Sequence, residues 1–102
     1  MASGILGKAD LVFSTNTVVF TASAVVTVAT VNICNRNATA ANVHVAIDAN
    51  TNPANSSYIE FNASVPAGGV LERTGLVLQS GQKIVVNSTA NNMSVNVYGL
   101  ES

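Results

Sequence analysis

Charge is what this chain has least of. Only 9% of its 102 residues are Asp, Glu, Lys or Arg, against about 25% in ordinary soluble domains. The four cations, Lys8, Arg36, Arg73 and Lys83, are spread along the chain and the formal net charge is −1. That leaves no basic field to gather phosphates and argues against nucleic acid as a partner. One cysteine excludes an internal disulfide. Cys34 follows Ile33 in an apolar stretch, so a buried, inert thiol is expected. Tryptophan is absent, which with a lone Cys removes the core signature of antibody-type domains. No apolar run approaches the roughly 20 residues of a membrane-spanning helix, so no membrane partner is expected. Residues 1–7 have neither a basic start nor a long apolar run, so synthesis and folding in a cytoplasm are expected.

In place of charge the chain carries Asn, Ser and Thr, about a third of its residues. Hydrophobic residues make up 48%, enough for one domain with its own core. A surface this poor in Lys and Glu is weakly protected against association. Coverage by other subunits, including copies of itself, is therefore expected; a free secreted β-domain is the alternative.

Apolar residues recur at every second position, with turn residues every 8–12 positions and no helical period. This predicts an all-β, single-domain antiparallel β-sandwich of about eight strands. An immunoglobulin-like order and a small jelly roll both fit. Residues 1–8 read as an N-terminal arm and 9–102 as the sandwich domain. Ile5 and Leu6 in that arm would form a first edge strand on their own domain or dock on a neighbour. The centre is predicted at residues 25–47, two strands joined through Asn35-Arg36-Asn37-Ala38-Thr39 as a β-hairpin. Within it Val26 and Val28 share one parity, Val31 and Ile33 the other. A bulge near Ala29-Thr30, or burial of both faces, would reconcile them. Downstream, Ile59, Phe61, Ala63 and Val65 alternate as an inward face, and Gly75 interrupts its strand as a bulge glycine does.

Few residues carry chemistry. Asp48, Asn50 and Asn52 begin like a calcium loop, but Pro53 stands where the sharp-turn glycine belongs. Ile59 holds the twelfth position, with Glu60 one place late. These four are the candidate cation ligands, against a plain Asn-rich loop. Glu60 and Glu72 are the mid-chain carboxylates that acid–base work would use across a cleft; outward strand carboxylates, one paired with Arg73, are the simpler reading. His44 has no second histidine to build a metal or triad site with. The five N-x-S/T sequons, at Asn37, Asn55, Asn62, Asn87 and Asn92, follow from composition. No enzyme activity and no cofactor are expected.

The opening SGILGKADL, the segment TVNICNRNATAANVHVAI and the run PAGGVLERTGLVLQSGQKIVV with MSVNVYGLE resemble small virion structural proteins of tailed bacteriophages, cyanophage type. Where such proteins often have Pro-Ala-Gly before the central strands, this chain has Thr21-Ala22-Ser23. The resemblance implies a decoration or cement protein on the capsid, partnered by the major capsid protein or other virion proteins and made in the bacterial host cytoplasm. A tail or baseplate accessory is the alternative, and a carbohydrate- or calcium-dependent binding module the alternative of another class. The candidate contact residues are Ile5 and Leu6 in the arm, with Tyr58, Arg73 and Tyr98, since aromatic and Arg side chains dominate interface energetics.

Overall fold

Strands with one apolar face need a second sheet to bury it, and here the two sheets contribute four strands each. The computed structural model describes residues 3–102. Its strands are β1 (Ser3–Leu11), β2 (Thr17–Thr21), β3 (Val26–Asn35), β4 (Ala41–Asp48), β5 (Tyr58–Val65), β6 (Val70–Gln79), β7 (Lys83–Ser88) and β8 (Met93–Glu101). The sheet orders are β1-β8-β3-β6 and β2-β7-β4-β5, with every strand pair antiparallel.

One long antiparallel ribbon accounts for that order. The first half of the chain pairs with the second, β1 with β8, β2 with β7, β3 with β6 and β4 with β5. The ribbon then rolls so that β3 also meets β8 and β4 also meets β7. This is a jelly roll, and it settles the choice left open with the immunoglobulin-like order. Leu11, Ile33, Leu78, Ile84, Met93 and a set of valines fill the space between the sheets.

The β-hairpin expected over residues 25–47 does not form. β3 and β4 lie in different sheets, and residues 36–40 carry the chain from one to the other. Asn35 makes that corner. Its side chain is fully buried and donates to the carbonyls of Thr39 (2.9 Å) and Val65 (3.1 Å). Its Oδ1 accepts the backbone N–H of Asn37 (2.9 Å) and that residue's amide (3.0 Å). Both strands alternate as expected, but the turn residues between them fold a corner rather than a hairpin.

Residues 3–8 belong to β1 and pair with β8 from Ser3↔Leu100 to Lys8↔Asn96. The boundary expected after residue 8 therefore falls inside a strand, and the edge-strand reading of Ile5 and Leu6 describes the fold. Met1 and Ala2 lie outside the described residues. Gly7 lets this edge close, since a Cβ there would sit 2.2 Å from the Val19 carbonyl oxygen of β2.

The bulge expected in β3 is in its partner. β3 alternates without a break, with Thr27, Ala29, Val31, Ile33 and Asn35 inward and buried. Between the pairs Ala29↔Leu76 and Val31↔Arg73 two residues of β6, Thr74 and Gly75, oppose the single Thr30 of β3, and Gly75 adopts φ +71°. Val26 and Val28 consequently face outward. So does Cys34, which is half-buried rather than a core thiol, because Ile33 and Asn35 take the inward parity.

Candidate functional site

Each sheet presents an outer face, and the two differ in chemistry. On the β1-β8-β3-β6 face, cross-strand register aligns side chains in rows. One row is Ser3, Leu100, Val28 and Val77. The next holds Ile5, Tyr98 and Thr30. Beyond it come Lys8, Asn96, Asn32 and Glu72. Ile5, Val28, Val77 and Leu100 are 61%, 46%, 65% and 59% exposed, and Val26 lies beside them opposite Gln79. An apolar band therefore crosses all four strands, and the rows toward the end of the sandwich that carries the Asn35 corner are mostly polar, Cys34 and the exposed Val70 excepted. Tyr98 links the two zones by donating to the Glu72 carboxylate at 2.7 Å. That bond, aided by desolvation, raises the phenol above its ordinary value of 10.0.

Among the sequence candidates, Ile5 and Tyr98 meet on this face. Leu6 sits at the β1 register shift and packs against the core instead. Arg73 is at the sandwich edge, where it pairs with Glu60 (2.5 Å) and donates to the Ile59 carbonyl (3.1 Å). That pair joins the two sheets, since β6 and β5 are edge strands of opposite layers. Val28, Val77 and Leu100 were not singled out from sequence. Parity carried the signal: Leu100 shares the phase of Tyr98, and Val28 opposes that of Val31.

The β2-β7-β4-β5 face is covered in part by the 49–57 loop. Asn16 donates to the Thr51 carbonyl (3.2 Å) and the Asn52 side chain (3.3 Å), and accepts from Asn87 (2.8 Å). Thus tied, the loop lies back across the sheet, where the outward-facing Ala46 and Val85 are buried. Asp48 is its hub. Oδ1 accepts from the Asn50 N–H (2.9 Å), and Oδ2 from the Ala54 N–H (2.9 Å) and the Ser57 hydroxyl (2.7 Å). These bonds, Ser57 first, pull the Asp48 carboxyl down to about 2.

The proposed cation ligands are therefore not assembled. Both Asp48 oxygens are engaged, Asn52 serves Asn16, and Glu60 is held by Arg73. Among the described residues no three His, Cys, Asp or Glu side chains group around one point. Glu60 and Glu72 are likewise engaged separately, Glu72 accepting from Tyr98 and from Asn32.

A lowered carboxyl pKa has a signed consequence. The folded value lies below the unfolded one, near 3.9, so this contribution to stability is present above pH 4 and lost as pH falls through about 2. Amide exchange at Ala54 and Ser57 should be slow and even from pH 7 to pH 4, after correction for intrinsic rates, and accelerate below. Asp48→Asn should raise exchange in residues 49–57 about tenfold at neutral pH while β3 and β8 stay protected. Uniform protection in that variant would remove Asp48 from the role of hub.

Tyr58, the remaining contact candidate, belongs to an aromatic cluster with His44 and Phe61 beside this loop. Phe61 is 69% exposed, against the inward position its alternation predicts. Asn62 is left-handed (φ 57°), and the β4–β5 register slips between Val43↔Ala63 and Val45↔Glu60. The slip rotates Phe61 out of the core.

No protein-family model, curated protein or solved structure matches this chain.

Proposed function

We propose that this protein is a non-enzymatic structural subunit of a bacteriophage virion, a decoration or cement protein that docks on the capsid through its β1-β8-β3-β6 face. The observation carrying this reading is the apolar band of Ile5, Leu100, Val28 and Val77 on a chain with 9% charged residues. Monomers rarely leave so continuous an apolar patch in water. A standard interface covers about 800 Å² on each partner, and a molecule measuring 39 × 27 × 19 Å offers a broad side of that order. The sequence resemblance to phage virion proteins supplies the partner class, the major capsid protein or a neighbouring virion protein, with self-association on the shell. The location is the virion, after synthesis in the host cytoplasm.

Docking by such a face is spread over many modest contacts, so it is tested with charge. Val28→Lys combined with Leu100→Lys places two ammonium groups in the middle of the band without entering the core. Purified variant should stay folded, its melting temperature lowered by only a few degrees because the two ammonium groups stand directly opposite each other. Its occupancy on particles in a co-sedimentation assay should fall about tenfold or more. Unchanged occupancy would remove this face from the contact. Copy number locates the protein: hundreds of copies per particle support the shell, whereas a handful would move it to the tail or baseplate. Absence from particles would end the proposal.

A further inference from the structure

We infer that the cleft between the 49–57 loop and β5 binds a neutral saccharide, with Phe61 as its stacking platform and the Asn55 amide as a hydrogen-bonding partner. This site is on the sheet opposite the proposed docking face and stands independently of it.

The first argument is the cost of the geometry. A phenylalanine in an alternating strand is expected inside. Here a left-handed, non-glycine residue, Asn62, and a register slip turn it outward. Bulges that re-aim a side chain and backbone held in sparsely populated conformations concentrate at functional sites. The arrangement is also locked. The Asn62 N–H donates to His44 Nδ1 at 2.9 Å, and the Asn62 side chain accepts from the Asn42 amide at 2.9 Å.

The second argument is the shape and rigidity of the platform. The Phe61 ring centroid is 4.5 Å from that of His44 and 5.2 Å from that of Tyr58, with interplanar angles of 50° and 78°. Both neighbours hold the ring, so little freedom is lost when a ligand stacks on it. Asn55, Tyr58 and Phe61 line a shallow, open cavity of about 420 Å³.

The third argument is the chemistry of the rim. It is amide rather than ionic. The Asn55 side chain makes no hydrogen bond to another described residue. The nearby carboxylates are already engaged, Asp48 by its loop and Glu60 by Arg73. The cavity lining carries no charged side chain, so an anionic ligand or a nucleotide phosphate would find no counter-ion in the lining itself. A pyranose ring matches what remains. Its C–H face carries partial positive charge toward the negative face of an aromatic ring, and its hydroxyls match an amide that both donates and accepts.

The test is a ¹⁵N-edited NMR titration of the full chain with a panel of neutral mono- and oligosaccharides (glucose, galactose, mannose and N-acetylglucosamine series), up to about 10 mM, the range of weak single-site binding. The expected result is saturable shifts at Asn55, Tyr58, Phe61 and Asn62 for at least one sugar. Phe61→Ala should weaken binding about tenfold or more, and Asn55→Ala should do so with the platform intact. Val28→Lys/Leu100→Lys should bind the sugar like the wild type, which separates this site from the docking face. The inference is overturned if no sugar shifts these resonances. It is equally overturned if Phe61→Ala binds normally with wild-type spectra elsewhere, or if Phe61→Ala lowers particle occupancy while the whole panel fails, which would make the ring a protein contact.

Discussion

Asn35→Ala is expected to destabilise the protein by about 3 kcal/mol, a large share of the roughly 5–15 kcal/mol that holds a domain together. The amide is fully buried and uses its whole hydrogen-bonding capacity, two donors on Thr39 and Val65 and two acceptances from Asn37. Truncation takes this partner from the Thr39 and Val65 carbonyls and the Asn37 N–H at the point where the chain changes sheets, while the Asn37 amide keeps the Asn91 carbonyl. Each buried orphan costs about 1–3 kcal/mol. Partial access of water to the 36–40 corner keeps the total below the simple sum. Asn35→Asp should be as harmful or worse, since a carboxylate would face the Thr39 and Val65 carbonyls it can no longer donate to. Urea denaturation would read this as a lower midpoint with an unchanged slope. A loss below about 1 kcal/mol would mean that the corner is held by other contacts.

Gly99→Ala should be comparably severe for a different reason. A Cβ at this position would lie 2.0 Å from the Val28 carbonyl oxygen and 2.9 Å from the Ala29 Cα. Both atoms are backbone of β3, and β8 is clamped between β3 and β1, so no rotamer change can relieve the overlap. The β3–β8 ladder has to part locally, at a cost of about 3 kcal/mol. Gly75→Ala is the control. Nothing lies within 4 Å of its added Cβ, and only the left-handed φ of +71° opposes it, a penalty of about 1 kcal/mol. Thermal melts should therefore rank Gly99→Ala well below Gly75→Ala. The reverse order would mean that close approach of β8 to β3 is not what selects glycine at 99.

The candidate surfaces were partly legible before the fold was known. Tyr98 could be placed opposite the Val95/Val97 face by alternation, and Leu100 follows at the same phase, so half of the apolar band was readable in β8 alone. Its other half depended on knowing that β3 keeps its alternation through Ala29 and Thr30, and that depended on β6 carrying the bulge at Gly75. Phe61 was beyond reach in the same way. Its neighbours alternate correctly, and only the slip against β4 shows that it points outward. Asp48, Asn50 and Asn52 stood as cation candidates beside the plain Asn-rich loop, because spacing does not show which acceptors the loop's own N–H groups consume.

Alternation and turn chemistry, by themselves, determined that this chain is a single all-β domain of about eight strands, because both are local properties of a few consecutive residues. Partnership was decided by the tertiary structure. Any two strands of period two can pair, so β3 and β4 read equally well as a hairpin or as members of opposite sheets. One core closes around Ile33, Leu78, Ile84 and Met93 in the rolled ribbon, with Asn35 at its corner and Val28 left on the outside.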